Sequence, residues 1–147
     1  MSKFLRVIID TREQHPLDFT GLDVVVIRRK LDLGDYAVDG HEAAGVVERK
    51  GLSDFVASMG NWEDWAAKAT RLAACGRSAI IVESSPDRIM KHTYFASTEP
   101  EVVLSLAVLT MQRYGVPILF AGTPGAAAAL TARWLFLAVR QAVKKGD

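Results

Sequence analysis

Three short clusters of charged residues each follow an apolar or extended run: Asp10-Thr11-Arg12-Glu13, Gly34-Asp35-Tyr36, and Glu48-Arg49-Lys50 with Asp54 four residues after the lysine. On a β-strand, residues two apart point to the same side, so a strand over 45–50 projects Glu48 and Lys50 from one face. A neighbouring strand over 33–38 brings Asp35 alongside them. Carboxylates gathered at the end of a buried sheet repel one another unless a cation is present. Hard oxygen ligands suit Mg²⁺, and an ammonium beside them suits an attacking water or a charged phosphate. The chemistry open to this set is metal-dependent phosphodiester hydrolysis. Solvated strand faces and structural ion pairs use the same residue types, and spacing alone leaves both readings open.

The other candidates carry the same double reading. Arg12 and Arg49 have the planar fork that matches a phosphate, yet each also fits as an ion-pair partner of Glu13 or Asp54. Arg29, inside the basic run Arg28-Arg29-Lys30, is either a solvated strand end or a DNA-backbone contact. His15, His41 and His92 show no ligand spacing and read as solvent or turn positions, with His15 alone close to Glu13. Trp62 and Trp65, three apart on a helix, either pack in the core or stack on bases. The single cysteine, Cys75, excludes an internal disulfide and a cysteine zinc site, and reads as a small hydrophobe near a helix end. Gly122-Thr123-Pro124-Gly125 lacks the Gly-Lys-Ser/Thr of a phosphate loop and reads as a helix start.

These residues need a scaffold, and apolar periodicity supplies one. Residues 4–9, 23–29, 33–38 and 45–50 read as strands, the last two joined as a hairpin at the turn dipeptide Asp39-Gly40. Leu52, Phe55, Val56 and Met59 share a helical face, continued by Trp62, Trp65, Ala66, Ala69 and Leu72 past a break at Gly60-Asn61. A strand over 79–82 precedes the helix-start signal Ser84-Ser85-Pro86-Asp87. Thr98 and Glu101 fit a capping box for a helix ending near Tyr114. A strand over 116–121 then leads to a final helix capped by Thr123, with Pro124 at its first position. The order β-β-β-β-α-α-β-α-β-α predicts one α/β domain of 147 residues with a central mixed sheet flanked by helices.

Charge bounds the partners: 18 Lys and Arg against 17 Asp and Glu give +1, so a nucleic-acid contact must use a local patch. No apolar stretch approaches the ~20 residues needed to span a bilayer, and the amino-terminus has no secretory h-region. The expectation is an intracellular protein of the cytoplasm or nucleoid, or of the nucleus in a eukaryote, without a membrane partner. The last two long helices are apolar on most of their circumference, which predicts that a partner covers them.

At Ile8-Ile9-Asp10-Thr11-Arg12-Glu13, Leu33-Gly34-Asp35-Tyr36 and Val47-Glu48-Arg49-Lys50 with Asp54, the chain resembles the nuclease domain of XPF-type structure-specific endonucleases. Ser58, Arg71-Leu72 and Ile80-Ile81-Val82-Glu83 continue the likeness, so the motif core covers residues 7–83. The resemblance implies a restriction-endonuclease-like fold that cuts branched or flap-like DNA with Mg²⁺ or Mn²⁺ in recombination or repair. It implies Asp35 and Glu48 as metal ligands, with the Arg49 carbonyl as a further one, and Lys50 beside the water and the transition state. Asp10 would reach the metal through water or hold a ligand, while Arg12, Arg49 and Arg29 are the candidate DNA contacts. It also implies a dimer through the helices over 98–143, homodimer or heterodimer.

Two departures qualify the likeness. The family's Gly-Arg-Leu segment reads Gly60-Asn61-Trp62 here, so one expected DNA contact is missing. The sequence ends soon after its last helix, which predicts a stand-alone form without a helix-hairpin-helix module. Two rival readings keep the same fold: an inactive DNA-binding half of a heterodimer, and a sequence-specific nuclease of restriction type.

Overall fold

A computed structural model describes residues 4–144. The expectations that rest on residues 1–3 and 145–147 lie outside the described residues. Six strands form one mixed sheet in the order β2-β1-β3-β4-β5-β6: β1 (Leu5–Ile9), β2 (Val24–Arg28), β3 (Tyr36–Val38), β4 (Val47–Lys50), β5 (Ala79–Val82) and β6 (Ile118–Phe120). β3 runs antiparallel to both β1 and β4, and the remaining pairs are parallel. Five helices follow the order expected from the sequence, with one short addition. They are α1 (Leu52–Met59), α2 (Trp62–Ala73), the short α3 (Pro86–Met90), α4 (Pro100–Tyr114) and α5 (Pro124–Lys144).

The period-2 alternation of the strands sorts their apolar side chains into two cores. Ile8, Ala37, Val46, Ile80 and Val82 pack with Phe55, Met59, Trp65, Leu72 and Val103 of α1, α2 and α4. Val7, Ile9, Tyr36, Val38, Val47 and Ile81 pack instead with Ala127, Ala128 and Leu135 of α5 and with Leu17 and Phe19 of the β1–β2 crossover. The sheet is therefore a middle layer, as the sequence predicts. Ser85 caps α3 by accepting the Arg88 N–H, and Thr123 caps α5 by accepting that of Ala126.

Two local expectations are corrected and one is extended. β3 starts at Tyr36 rather than residue 33, because Gly34 turns the chain at φ +75°. A Cβ there would lie 2.8 Å from Val46 Cγ2, so only glycine fits the bend. β3 and β4 form the expected antiparallel hairpin, with a turn at Asp39-Gly40 closed by the His41 N–H on the Val38 carbonyl, but the connection is longer than that turn. The chain passes through a 3₁₀ turn at Glu42–Ala44, and Asp39 turns its carboxylate to Arg6 and Arg29. The Thr98 capping box does not form. α4 begins at Pro100, whose ring suits the first helical position, and the Thr98 carbonyl accepts the Tyr94 hydroxyl at 2.6 Å.

Candidate active site

The alternation that sorts the cores continues into the charged end of β4. Glu48 and Lys50 follow Val46 to the α2 side of the sheet, and Arg49 follows Val47 to the α5 side. A cleft of about 380 Å³ opens there, lined by all three residues together with Asp10, Arg12, Asp35, Asp54 and Lys68.

Glu48 is buried at 5% exposure, and its Oε2 meets two ammonium groups: Lys68 Nζ at 3.0 Å and Lys50 Nζ at 3.7 Å. Asp35 sits at the Gly34 bend, where its Oδ2 accepts the Arg49 backbone N–H at 2.7 Å. Among the described residues no ion pair reaches it. Burial and the nearby Glu48 charge push its pKa up to about 7, although the Arg49 N–H and Lys68 pull the other way. Two carboxylates thus face one space, and only Glu48 has ammonium partners there.

Asp10 is buried but does not share Asp35's lack of an ion pair. Its Oδ1 accepts the Leu31 N–H at 2.7 Å and its Oδ2 accepts Arg12 Nε at 2.9 Å. Burial pushes its pKa up, but the Arg12 guanidinium and the Leu31 and Arg12 N–H groups outweigh this and hold it below the ordinary range. Both Asp10 oxygens are thus engaged by protein donors. Arg12 is fixed by Asp10 and by the Leu31 carbonyl, yet its side chain stays largely exposed at the rim.

Arg49 takes the ion-pair reading. Its Nε and Nη2 reach the two oxygens of Glu83 at 2.7 and 3.2 Å, and its Nη1 lies 3.6 Å from Glu13. Asp54 is not its partner, and the fork that would meet a phosphate is already filled. Burial acts to lower the guanidinium pKa, but these carboxylates raise it further. Glu13 also accepts a long bond from the Tyr36 hydroxyl, which itself accepts the Leu17 N–H. Arg29 does not line the cleft; it pairs with Asp39 at 2.9 Å and Glu42 at 3.5 Å. His15 stands at the cleft's exposed rim. Trp65 is a core residue: its Nε1 donates to Thr110 at 2.8 Å and its ring meets Phe55 edge-on.

Lys68 is the residue that sequence reasoning missed. A signal existed, since Lys68 lies three after Trp65 and four before Leu72, a charged residue on the apolar face of α2. Glu83, read only as part of a family likeness, proves to anchor Arg49.

Among the described residues no three His, Cys, Asp or Glu side chains converge as a ligand cluster. A hard cation suits the two carboxylates nonetheless, because Mg²⁺ commonly takes one or two and keeps several waters. The observation that fits is Asp35, a carboxylate in the same cleft as Glu48 with no ion pair among the described residues. Asp35, Glu48 and the Arg49 carbonyl are the groups that would hold the cation.

The mixed sheet, with a two-carboxylate and lysine cleft at the end of β4, has the restriction-endonuclease-like fold, and comparison with known proteins agrees. The ERCC4 domain profile matches residues 9–134, so the chain belongs to the ERCC4 domain family. XPF from Aeropyrum pernix superimposes with a TM-score of 0.73 at 27% identity, over 90% of this chain and 60% of that one. XPF from Aeropyrum pernix in complex with DNA gives 0.73 at 26% identity, over 93% and 66%. The chain therefore spans about two thirds or less of the length of these solved relatives. No curated protein matches the sequence. No helix among the described residues is long and apolar enough to cross a membrane.

Proposed function

We propose that the chain is a divalent-metal-dependent DNA endonuclease that hydrolyses phosphodiester bonds in branched or flap-like DNA during repair or recombination. The observation that carries this reading is the shared cleft of Asp35 and Glu48 with Lys50 beside them, two carboxylates of which Asp35 has no ion-pair partner among the described residues. The DNA complex of the XPF relative supports DNA as the partner.

A bound Mg²⁺ or Mn²⁺ would supply positive charge against the phosphate and make the attacking water more acidic. The protein's own part is positioning. The Arg49 N–H fixes Asp35, and the strand carries Glu48 to the same space. Lys50 Nζ, beside Glu48, is placed to orient the water and to stabilise charge on the pentavalent phosphorus. Water attacks in line, a new P–O bond forms as the opposite P–O bond breaks, and the proton the water gives up to solvent is balanced by one the departing oxygen takes from solvent. Arg12, held by Asp10, offers its exposed edge to a phosphate at the rim.

A dimer through α4 and α5 belongs to the same reading. Val102 and Val108 on α4, and Leu130, Phe136, Leu137 and Val143 on α5, are exposed apolar side chains that a second copy or a related subunit would cover.

The test is cleavage of labelled flap, fork, four-way junction and linear duplex with Mg²⁺, Mn²⁺ or chelator, beside Glu48→Gln. Metal-dependent cutting of branched DNA, lost in the variant, is the expected result. A folded protein that binds these DNAs and cuts none, alone or mixed with a partner subunit, overturns it.

A further inference from the structure

The positive charge in the cleft is unevenly shared. Glu48 has two ammonium groups on one oxygen, while Asp35 across the cleft has a single backbone N–H. Lys50 belongs to β4 itself and its side chain is 19% exposed, so the strand holds it. Lys68 comes from a different element, lies closer to the same oxygen, and keeps 38% of its side chain in solvent.

The base of Lys68 is firmly set even though its tip is not. Trp65, one turn earlier on α2, is pinned by its bond to Thr110 of α4 and by its edge contact with Phe55. Leu72, one turn later, is fully buried. Beyond this anchored backbone a four-carbon stem carries a compact, strongly hydrated charge with three rotatable donors. Glu48 is the acceptor it reaches. A divalent cation held between Asp35 and Glu48 would need Glu48 oxygen and would bring two more positive charges to within a few ångströms of this ammonium. In a half-buried cleft such repulsion is only weakly screened.

We propose that Lys68 is a tethered counter-ion. It neutralises Glu48 while the cleft is free of metal, competes with the divalent cation for Glu48 Oε2, and is displaced when the cation binds. Lys68 is thus a positioning residue that sets the metal affinity of the free enzyme. The inference rests on the metal-dependent reading above, and the experiment separates the two.

Mn²⁺ is titrated calorimetrically into the DNA-free protein at low ionic strength, using wild type, Lys68→Met, Lys68→Arg and Glu48→Gln. Methionine keeps the stem and removes the charge. The expected result is Mn²⁺ binding three- to tenfold tighter in Lys68→Met, within twofold of wild type in Lys68→Arg, and lost in Glu48→Gln. Higher salt should narrow the difference between wild type and Lys68→Met. A merely structural role cannot give this pattern, because loosening α2 does not tighten a metal. Should Lys68→Met fail to fold, Lys68→Gln carries the same comparison. Unchanged or weaker Mn²⁺ binding without the charge overturns the counter-ion, and so does equal tightening in Lys68→Arg. If wild type and Lys68→Met both ignore Mn²⁺, the metal-dependent reading itself falls.

Discussion

Glu48 and Arg49 are neighbours in the chain and end up in opposite situations. On the α2 side of the sheet, Glu48, Lys50, Lys68 and Asp35 face a cleft in which both ammonium groups go to Glu48 and neither to Asp35. On the α5 side, Arg49 satisfies Glu83 and Glu13 in a nearly closed cluster. One strand with a two-residue repeat divides a single charged tripeptide into a half proposed to be reactive and a structural half. Density of charge therefore says little about chemistry; the face on which the charge emerges, and whether it finds a partner, says more.

The most severe way to break this contrast is to disarm the cleft. Asp35→Asn, Glu48→Gln or Lys50→Ala should each reduce metal-dependent DNA cleavage by about 10³-fold or more, with an unchanged circular-dichroism spectrum. Retained cutting in any one of them removes that residue from the mechanism.

Breaking the other half should act on folding instead. Arg49→Ala leaves Glu83 and Glu13 largely buried without their cation, which costs about 3–5 kcal/mol in comparable buried pairs. Thermal or urea unfolding checks it. A variant as stable as wild type would mean that these carboxylates find water or protonate at little cost.

The third contrast is between carboxylates, read through pH. Asp35 has a folded pKa raised to about 7 from an ordinary 3.8, so the folded state holds its proton more tightly than the unfolded chain. Without metal, its contribution makes stability fall as pH rises from about 4 to about 7. Asp10 is shifted the opposite way: its contribution is present above its unfolded pKa and is lost as pH falls below that value. The melting temperature of metal-free protein should therefore drop by several degrees between pH 5 and 7.5, and Asp35→Asn should flatten that fall. Mg²⁺ or Mn²⁺ should reverse the trend in wild type. A flat wild-type profile would show that Lys68 and Lys50 already neutralise the pair.

The smallest effect belongs to the exposed pair at the far end. Arg29→Ala removes surface contacts to Asp39 and Glu42, each worth about 0–1 kcal/mol. Melting should move by about a degree or less, and the salt dependence of DNA binding should be unchanged. A slope reduced by about one would instead extend the DNA track to β2.

The strands and helices are legible in the sequence because both signals are local. Val24 to Ile27 and Ala79 to Val82 are short β-branched runs, and Phe55, Val56 and Met59 repeat at helical spacing. Asp35, Glu48 and Lys50 are legible as a set because strand alternation and one hairpin suffice to bring them together. What escapes depends on distant packing. Lys68 meets Glu48 across twenty residues of chain, and Glu83 meets Arg49 across thirty-four. The Asp39-Gly40 turn forms as read, closed by the His41 N–H on the Val38 carbonyl, but the added 3₁₀ turn at Glu42–Ala44 that lengthens the hairpin carries no comparable local signal.

Gly34 has a consequence for how variants of this chain would be selected. A library screened for stable folding alone, with no DNA in the assay, would retain glycine at 34, where a side chain collides with Val46. The same screen would hold Lys50 less tightly, since its 3.7 Å contact with Glu48 is backed by the closer ammonium of Lys68. Two positions of one motif would thus come under separate selection, and a lineage that lost the activity would lose the lysine long before the glycine.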